Sequence, residues 1–158
     1  MLSIREAKKS DVNELFNLCI EMHKEGIYQK IEINQEKLTN FLLSKINHKE
    51  SLLLVLTDGD KLVGLFIGDI VEYFFSSEKL ALDTIFYIVK SKRKSFGAIK
   101  LLVAYFDWAN SHNVREICLS STNGIEVEKI EKMYTKLGFY RVGIMYKKGN
   151  ENVSTSNR

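Results

Sequence analysis

The stretch Leu82–Ala109, LDTIFYIVKSKRKSFGAIKLLVAYFDWA, decides how this chain is read. A β-rich run ending in Tyr87, Ile88 and Val89 passes through a loop carrying Lys90, Lys92, Arg93 and Lys94, and the loop runs straight into a nearly all-apolar helix opened by Gly97 and Ala98. The first N–H groups of a helix have no partner within it and carry the positive end of the helix dipole. Small residues beside a basic loop let an anion approach that backbone, so loop and first turn form a candidate phosphate site. The competing reading is a solvated lysine run ahead of a core helix.

The spacing predicts a strand over 79–88 and a buried helix over 97–111, with Lys100, Asp107, Asn110 and Ser111 as its polar stripe. Upstream, Leu52–Thr57 and Leu62–Val71 read as a hairpin about Asp58-Gly59, a pair that tolerates positive φ. Gly64 and Gly68 mark a bulge or a close approach in the second of these strands. Leu2 and Ile4 alternate as a first strand. Two helices follow, one over Val12–Met22 with Ser10 as cap and an end near Gly26, the other after the cap Asn34. Downstream come a strand at Arg115–Ser120, a helix at Val127–Leu137 stopped by Gly138, and a last strand at Phe139–Lys147. The order β-α-α-β-β-β-α-β-α-β predicts an α+β fold with one mixed, mostly antiparallel central sheet flanked by helices. Residues 1–148 make one domain, and the polar residues 149–158 read as a disordered tail.

Composition agrees. A chain of 158 residues with 45% apolar content can bury a core unaided, and a net charge of +3 argues only weakly for nucleic acid. Its basic cluster lacks the interleaved aromatics of a base-stacking surface. Cys19 and Cys118 sit in apolar segments without metal-ligand spacing, as expected of reduced core thiols, so no metal is expected. With no long apolar run and no signal-peptide core, the expectation is a cytoplasmic protein that does not engage a membrane.

Two motifs carry a family resemblance. Arg93-Lys94-Ser95-Phe96-Gly97-Ala98 resembles the Arg/Gln-x-x-Gly-x-Gly/Ala loop of the GNAT superfamily of N-acetyltransferases, with Phe96 where the first glycine usually stands. Tyr134-Thr135-Lys136-Leu137-Gly138-Phe139 resembles that family's Tyr-x-x-x-Gly-Phe. The resemblance covers residues 2–147 and implies acetyl-CoA as cosubstrate and an amine as acceptor. It further implies a sheet whose fourth and fifth strands splay apart to admit the cofactor. Arg93, Lys94, Ser95, Phe96, Gly97 and Ala98 would hold the diphosphate; Tyr87, Ile88 and Val89 would line the pantetheine arm, with an amide of Ile88 or Val89 stabilising the oxyanion; Asn123 would touch the pantetheine or cap a helix.

An amine acceptor arrives protonated, because its ordinary pKa is ~10.4 if it is a lysine, and a base must take that proton. Asp83, inside an apolar strand, is the candidate. Strand alternation places it on one face with Ile85 and Tyr87. It could equally cap a strand edge or pair with a lysine, and Glu72 acting through water is the substitute. Tyr134 matches the family's general acid, or is an apolar-face residue beside Val127, Ile130 and Leu137. Tyr28, Tyr73, Phe74 and Phe75 line an acceptor site or a homodimer contact. The alternative to catalysis is a silent GNAT-like module that binds coenzyme A or a partner.

Overall fold

The computed structural model describes residues 1–149. Five strands, β1 (Leu2–Glu6), β2 (Ser51–Asp58), β3 (Lys61–Glu72), β4 (Lys79–Ile88) and β5 (Glu116–Ile117), form one sheet in the order β1-β2-β3-β4-β5. The first four are antiparallel neighbours and β5 runs parallel to β4. Helices α1 (Val12–Glu25) and α2 (Gln35–Lys45) cover one face, while α3 (Gly97–Ser111) and α4 (Val127–Lys136) cover the other.

The two faces follow from strand alternation. Leu53, Val55, Leu65 and Ile67 pack with Leu15, Leu18 and Leu42 under α1 and α2. Leu54, Leu56, Phe66 and Ile70 pack with Leu101, Leu102 and Tyr105 under α3. Both faces of β2 and β3 are therefore covered, which is why these strands read as continuous apolar runs.

Local signals account for most boundaries. Asn34 caps α2, its Oδ1 accepting from the Lys37 amide at 2.8 Å. Gly59, at φ +61°, turns the β2–β3 hairpin, and Gly138, at φ +91°, follows the end of α4. Ser10 is not a cap. It lies in a 3-10 turn, Lys9–Asp11, ahead of α1, where Asp11 instead accepts from the Lys8 amide at 2.7 Å and from both terminal nitrogens of Arg5.

Three expectations are corrected. The strand predicted over 115–120 is reduced to Glu116–Ile117. Residues 139–149 carry no regular secondary structure, so the last predicted strand is not formed; β5 is too short to offer its alternating side chains a ladder, and Tyr140, Val142 and Tyr146 are exposed. Third, the β3–β4 register passes from Ile67↔Ile85 to Gly68↔Asp83, leaving Thr84 as a bulge. A one-residue bulge turns everything before it to the other face. Asp83 therefore lies with Ala81 on the α3/α4 side, opposite to Ile85 and Tyr87.

Cys19 is buried and Cys118 half-buried, both free. No helix among the described residues is long and apolar enough to cross a membrane. The tail expected over 149–158 lies, past residue 149, outside the described residues.

Candidate active site

Strand β4 is paired along its whole length on one side only. Its parallel ladder with β5 holds Leu80 and Ala81, and the Cys118 amide extends it by donating to the Ala81 carbonyl at 2.8 Å. Beyond Asp83 no backbone bond joins β4 to the β5 side among the described residues, so the two segments diverge toward the basic loop. In an antiparallel ladder alternate residues face alternate edges. The Val89 amide donates to the Val63 carbonyl at 2.9 Å, toward β3. Ile88 therefore turns its backbone to the open edge, and of the two amides expected near an oxyanion only that of Ile88 faces it.

At the inner end of this opening lie the two side chains singled out for proton transfer. Ser120, just past β5, donates its hydroxyl to Asp83 Oδ2 at 3.2 Å, and its carbonyl accepts from the Tyr134 hydroxyl at 3.1 Å. One serine thus bridges both. Burial pushes the Asp83 carboxyl up to about 6, against the hydroxyl and amide of Ser120, which favour its charged form. Burial and the nearby Asp83 carboxylate push the Tyr134 phenol well above its ordinary range. Tyr134 also packs in the core against Phe139, as its apolar-face reading expects. Tyr105 completes the floor: its ring lies over Gly68, where an added Cβ would come within 2.7 Å of the ring, and its hydroxyl donates to the Cys118 carbonyl at 3.2 Å.

At the outer end, the loop is built on side chain to backbone bonds. Ser95 Oγ donates to the Lys92 carbonyl at 2.6 Å and accepts from the Gly97 amide at 3.2 Å. The amides of Ala98 and Ile99, next in the first turn of α3, have no protein acceptor among the described residues. Phe96 sits at φ −73° and is 80% exposed. An ordinary residue fits there without strain, and Phe96 belongs to no core cluster. Gly97 is needed for a different reason from flexibility: a Cβ there would lie 2.5 Å from the Leu56 side chain, so its smallness lets α3 start close against β2. Lys94 is exposed and Ala98 packs on the α3-side core.

Arg93 does not project from the loop. Its Nε donates to the Ile88 carbonyl at 2.8 Å, and its two terminal nitrogens donate to Glu25 Oε1 at 2.5 Å and Oε2 at 2.6 Å. The Glu25 carboxyl is held below its usual range by this pair. The Tyr87 hydroxyl donates to Glu25 Oε2 at 3.2 Å, and burial, with Glu25 beside it, pushes that phenol up to about 12. Asn123 is used within its own loop: Oδ1 accepts from the Ile125 amide at 3.0 Å, and its carbonyl accepts from the Ile27 amide at 3.0 Å. It is not a helix cap, since Glu126 occupies that position at φ 44°.

Other candidates lie elsewhere. Glu72 is exposed at the end of β3, in register with Lys79. Phe74 and Phe75 are exposed at the β3–β4 reversal, Tyr73 donates to Glu116, and Tyr28 lies beneath Lys147. Sequence reasoning missed Ser120, Ser121, Glu25 and Tyr105. The hydroxyl run Ser120-Ser121-Thr122 was a visible signal for the first two. Ser121 Oγ is buried with no hydrogen-bond partner among the described residues, an uncompensated desolvation cost.

No family model and no curated protein matches the sequence. Solved structures do match. The chain is similar to AAC(6')-Iy in complex with the bisubstrate analogue CoA-S-monomethyl-acetylneamine, at 15% identity and TM-score 0.76, over 95% of this chain and 99% of that one. It is similar to a GNAT family acetyltransferase from Staphylococcus aureus, at 20% identity and TM-score 0.67, over 94% and 98%. A third match is a predicted acetyltransferase with acetyl-CoA from Clostridium acetobutylicum, at 17% identity and TM-score 0.73, over 94% and 96%. The chain has the fold of the GNAT N-acetyltransferases.

Proposed function

We propose that this chain is an acetyl-CoA-dependent N-acetyltransferase that acts on an amine by direct transfer in a ternary complex. The observation that carries the reading is the one-sided pairing of β4: an open strand edge with Asp83 and Tyr134, bridged by Ser120, at one end and the unpaired first turn of α3 at the other. The residues present fit such a cofactor, because the unpaired amides of Ala98 and Ile99 suit a diphosphate and the open edge suits an amide-bearing arm. Lys94 adds positive charge there. Acetyl-CoA, when bound, supplies an activated acetyl group and a thiolate leaving group.

The chain's own groups then have distinct tasks. Asp83, with its carboxyl near 6, is ionised at neutral pH yet basic enough to take a proton from an ammonium acceptor. The Ile88 amide, at the open edge, is a fixed donor for charge developing on a carbonyl oxygen. Tyr134 keeps its proton across the working pH range and is a donor, never a base. An aminoglycoside acetyltransferase is among the solved structures this chain is similar to, so aminoglycosides are one group of amines to test.

The test is thiol release from acetyl-CoA by the purified protein in the presence of a panel comprising an aminoglycoside, a polyamine, a lysine peptide and a free amino acid. Amine-dependent release with matching N-acetylation by mass spectrometry supports the reading. Coenzyme A binding without acetylation of any amine overturns the catalytic reading and leaves a silent coenzyme A module.

A further inference from the structure

The arginine of the phosphate loop is already occupied. A guanidinium presents five N–H groups in a rigid fork. For Arg93, Nε is on the Ile88 carbonyl and the two terminal nitrogens are on the two oxygens of Glu25. Glu126 Oε2 lies 3.6 Å from Nη1 on the remaining flank. The Tyr87 ring faces the guanidinium, 5.4 Å from ring centre to Cζ, and its hydroxyl holds the Glu25 carboxylate in place. The Arg93 side chain is only 15% exposed. Carboxylate and phosphate oxygens compete for the same bidentate edge of an arginine, and here that edge faces α1.

We propose that Glu25 is an internal competitor for the cofactor's diphosphate. In the free chain its carboxylate occupies the bidentate edge of Arg93, and cofactor binding exchanges Glu25 for phosphate oxygens. The proposal rests on the acetyl-CoA reading above. Glu25 thereby sets cofactor affinity without touching the reacting atoms: the diphosphate must displace one carboxylate and approach a second, Glu126, so affinity is the difference between two ion pairs rather than the full strength of one. The place of Glu25 in the chain adds a consequence. It is the last residue of α1, and the next two residues meet the Asn123 carbonyl, Gly26 closely enough that a Cβ would lie 2.8 Å from it and Ile27 through its amide. These contacts hold the start of the loop over 26–33 without the Glu25 side chain, so the exchange at Arg93 is confined to the ion pair.

Calorimetric titration of coenzyme A at one fixed salt concentration, into the wild type, Glu25→Gln, Glu25→Asp, Arg93→Ala and the Glu25→Gln/Arg93→Ala double variant, tests this. Glu25→Gln is expected to bind about tenfold more tightly than wild type, the scale of one charge-assisted hydrogen bond. Glu25→Asp, whose shorter side chain reaches less well, falls between the two and serves if Glu25→Gln does not fold. The tighter binding is expected to disappear when Arg93 is alanine. Equal or weaker binding by the Glu25 variants makes Glu25 a loop-holding residue and overturns the proposal. Tighter binding that persists without Arg93 overturns it too, by making the effect general electrostatics. Failure of the folded wild type and of every folded variant to bind coenzyme A overturns the acetyl-CoA reading itself.

Discussion

Tyr134 donates its hydroxyl to the Ser120 carbonyl at 3.1 Å, while the hydroxyl of the same serine donates to Asp83 at 3.2 Å. The two proton-transfer candidates are therefore joined by a single residue on the one segment that departs from β4, and a change at any of the three is felt by the others.

Asp83 titrates where it can be seen. With its carboxyl raised to about 6, acetylation should fall below that pH as the base is protonated. In Asp83→Asn the rate should drop on the order of 10²–10⁴-fold and lose this acid limb, with coenzyme A affinity nearly unchanged. A pH–rate profile for both proteins is the measurement, and wild-type rates in Asp83→Asn would remove the base assignment.

The same group makes stability depend on pH. Its carboxyl moves from an ordinary 3.8 up to about 6, so the folded chain holds the proton more tightly than the unfolded one. Its contribution is most favourable below pH ~4 and is lost as pH rises through about 6. Asp83→Asn should therefore be more stable than wild type at pH 8 by about 1–3 kcal/mol, and equal to it near pH 4, in urea titrations at the two pH values.

Ser120→Ala removes a hydrogen bond to the charged form of Asp83. The acid limb of the rate profile should move to higher pH by about one unit, the scale of one hydrogen bond to an ion. An unmoved limb would show that the Ser120 hydroxyl does not tune the base.

Gly68→Ala tests the floor of the site. The new methyl would lie 2.7 Å from the Tyr105 ring, itself fully buried. Overpacking of this kind costs about 1–3 kcal/mol, read as a lowered urea midpoint at unchanged slope.

Phe96→Gly separates loop chemistry from packing. Phe96 is exposed and unstrained, so stability should change by less than about 1 kcal/mol, the ordinary entropic effect of a glycine. A loss several times larger in thermal unfolding would place Phe96 in the core after all.

The local elements are legible in the sequence. The bounds of β4 and α3, the Asn34 cap, the turn at Gly59 and the glycine after α4 depend on propensity, capping and sign of φ, all of which act within a few residues. The resemblance of two short motifs pointed to the fold for the same reason. Which groups meet depends on contacts between elements far apart in the chain. Asp83 changes face because of a bulge at Thr84, a register property of two strands that single-strand alternation cannot express. Glu25 reaches Arg93 across 68 positions and Ser120 reaches Asp83 across 37; an acidic helix end is ordinary in isolation, and the hydroxyl run at Ser120 marks a polar segment without naming its partner. The alternating run after Gly138 shows the converse: a strand pattern is an offer of one face and two edges, and without a long enough neighbouring edge it forms no ladder.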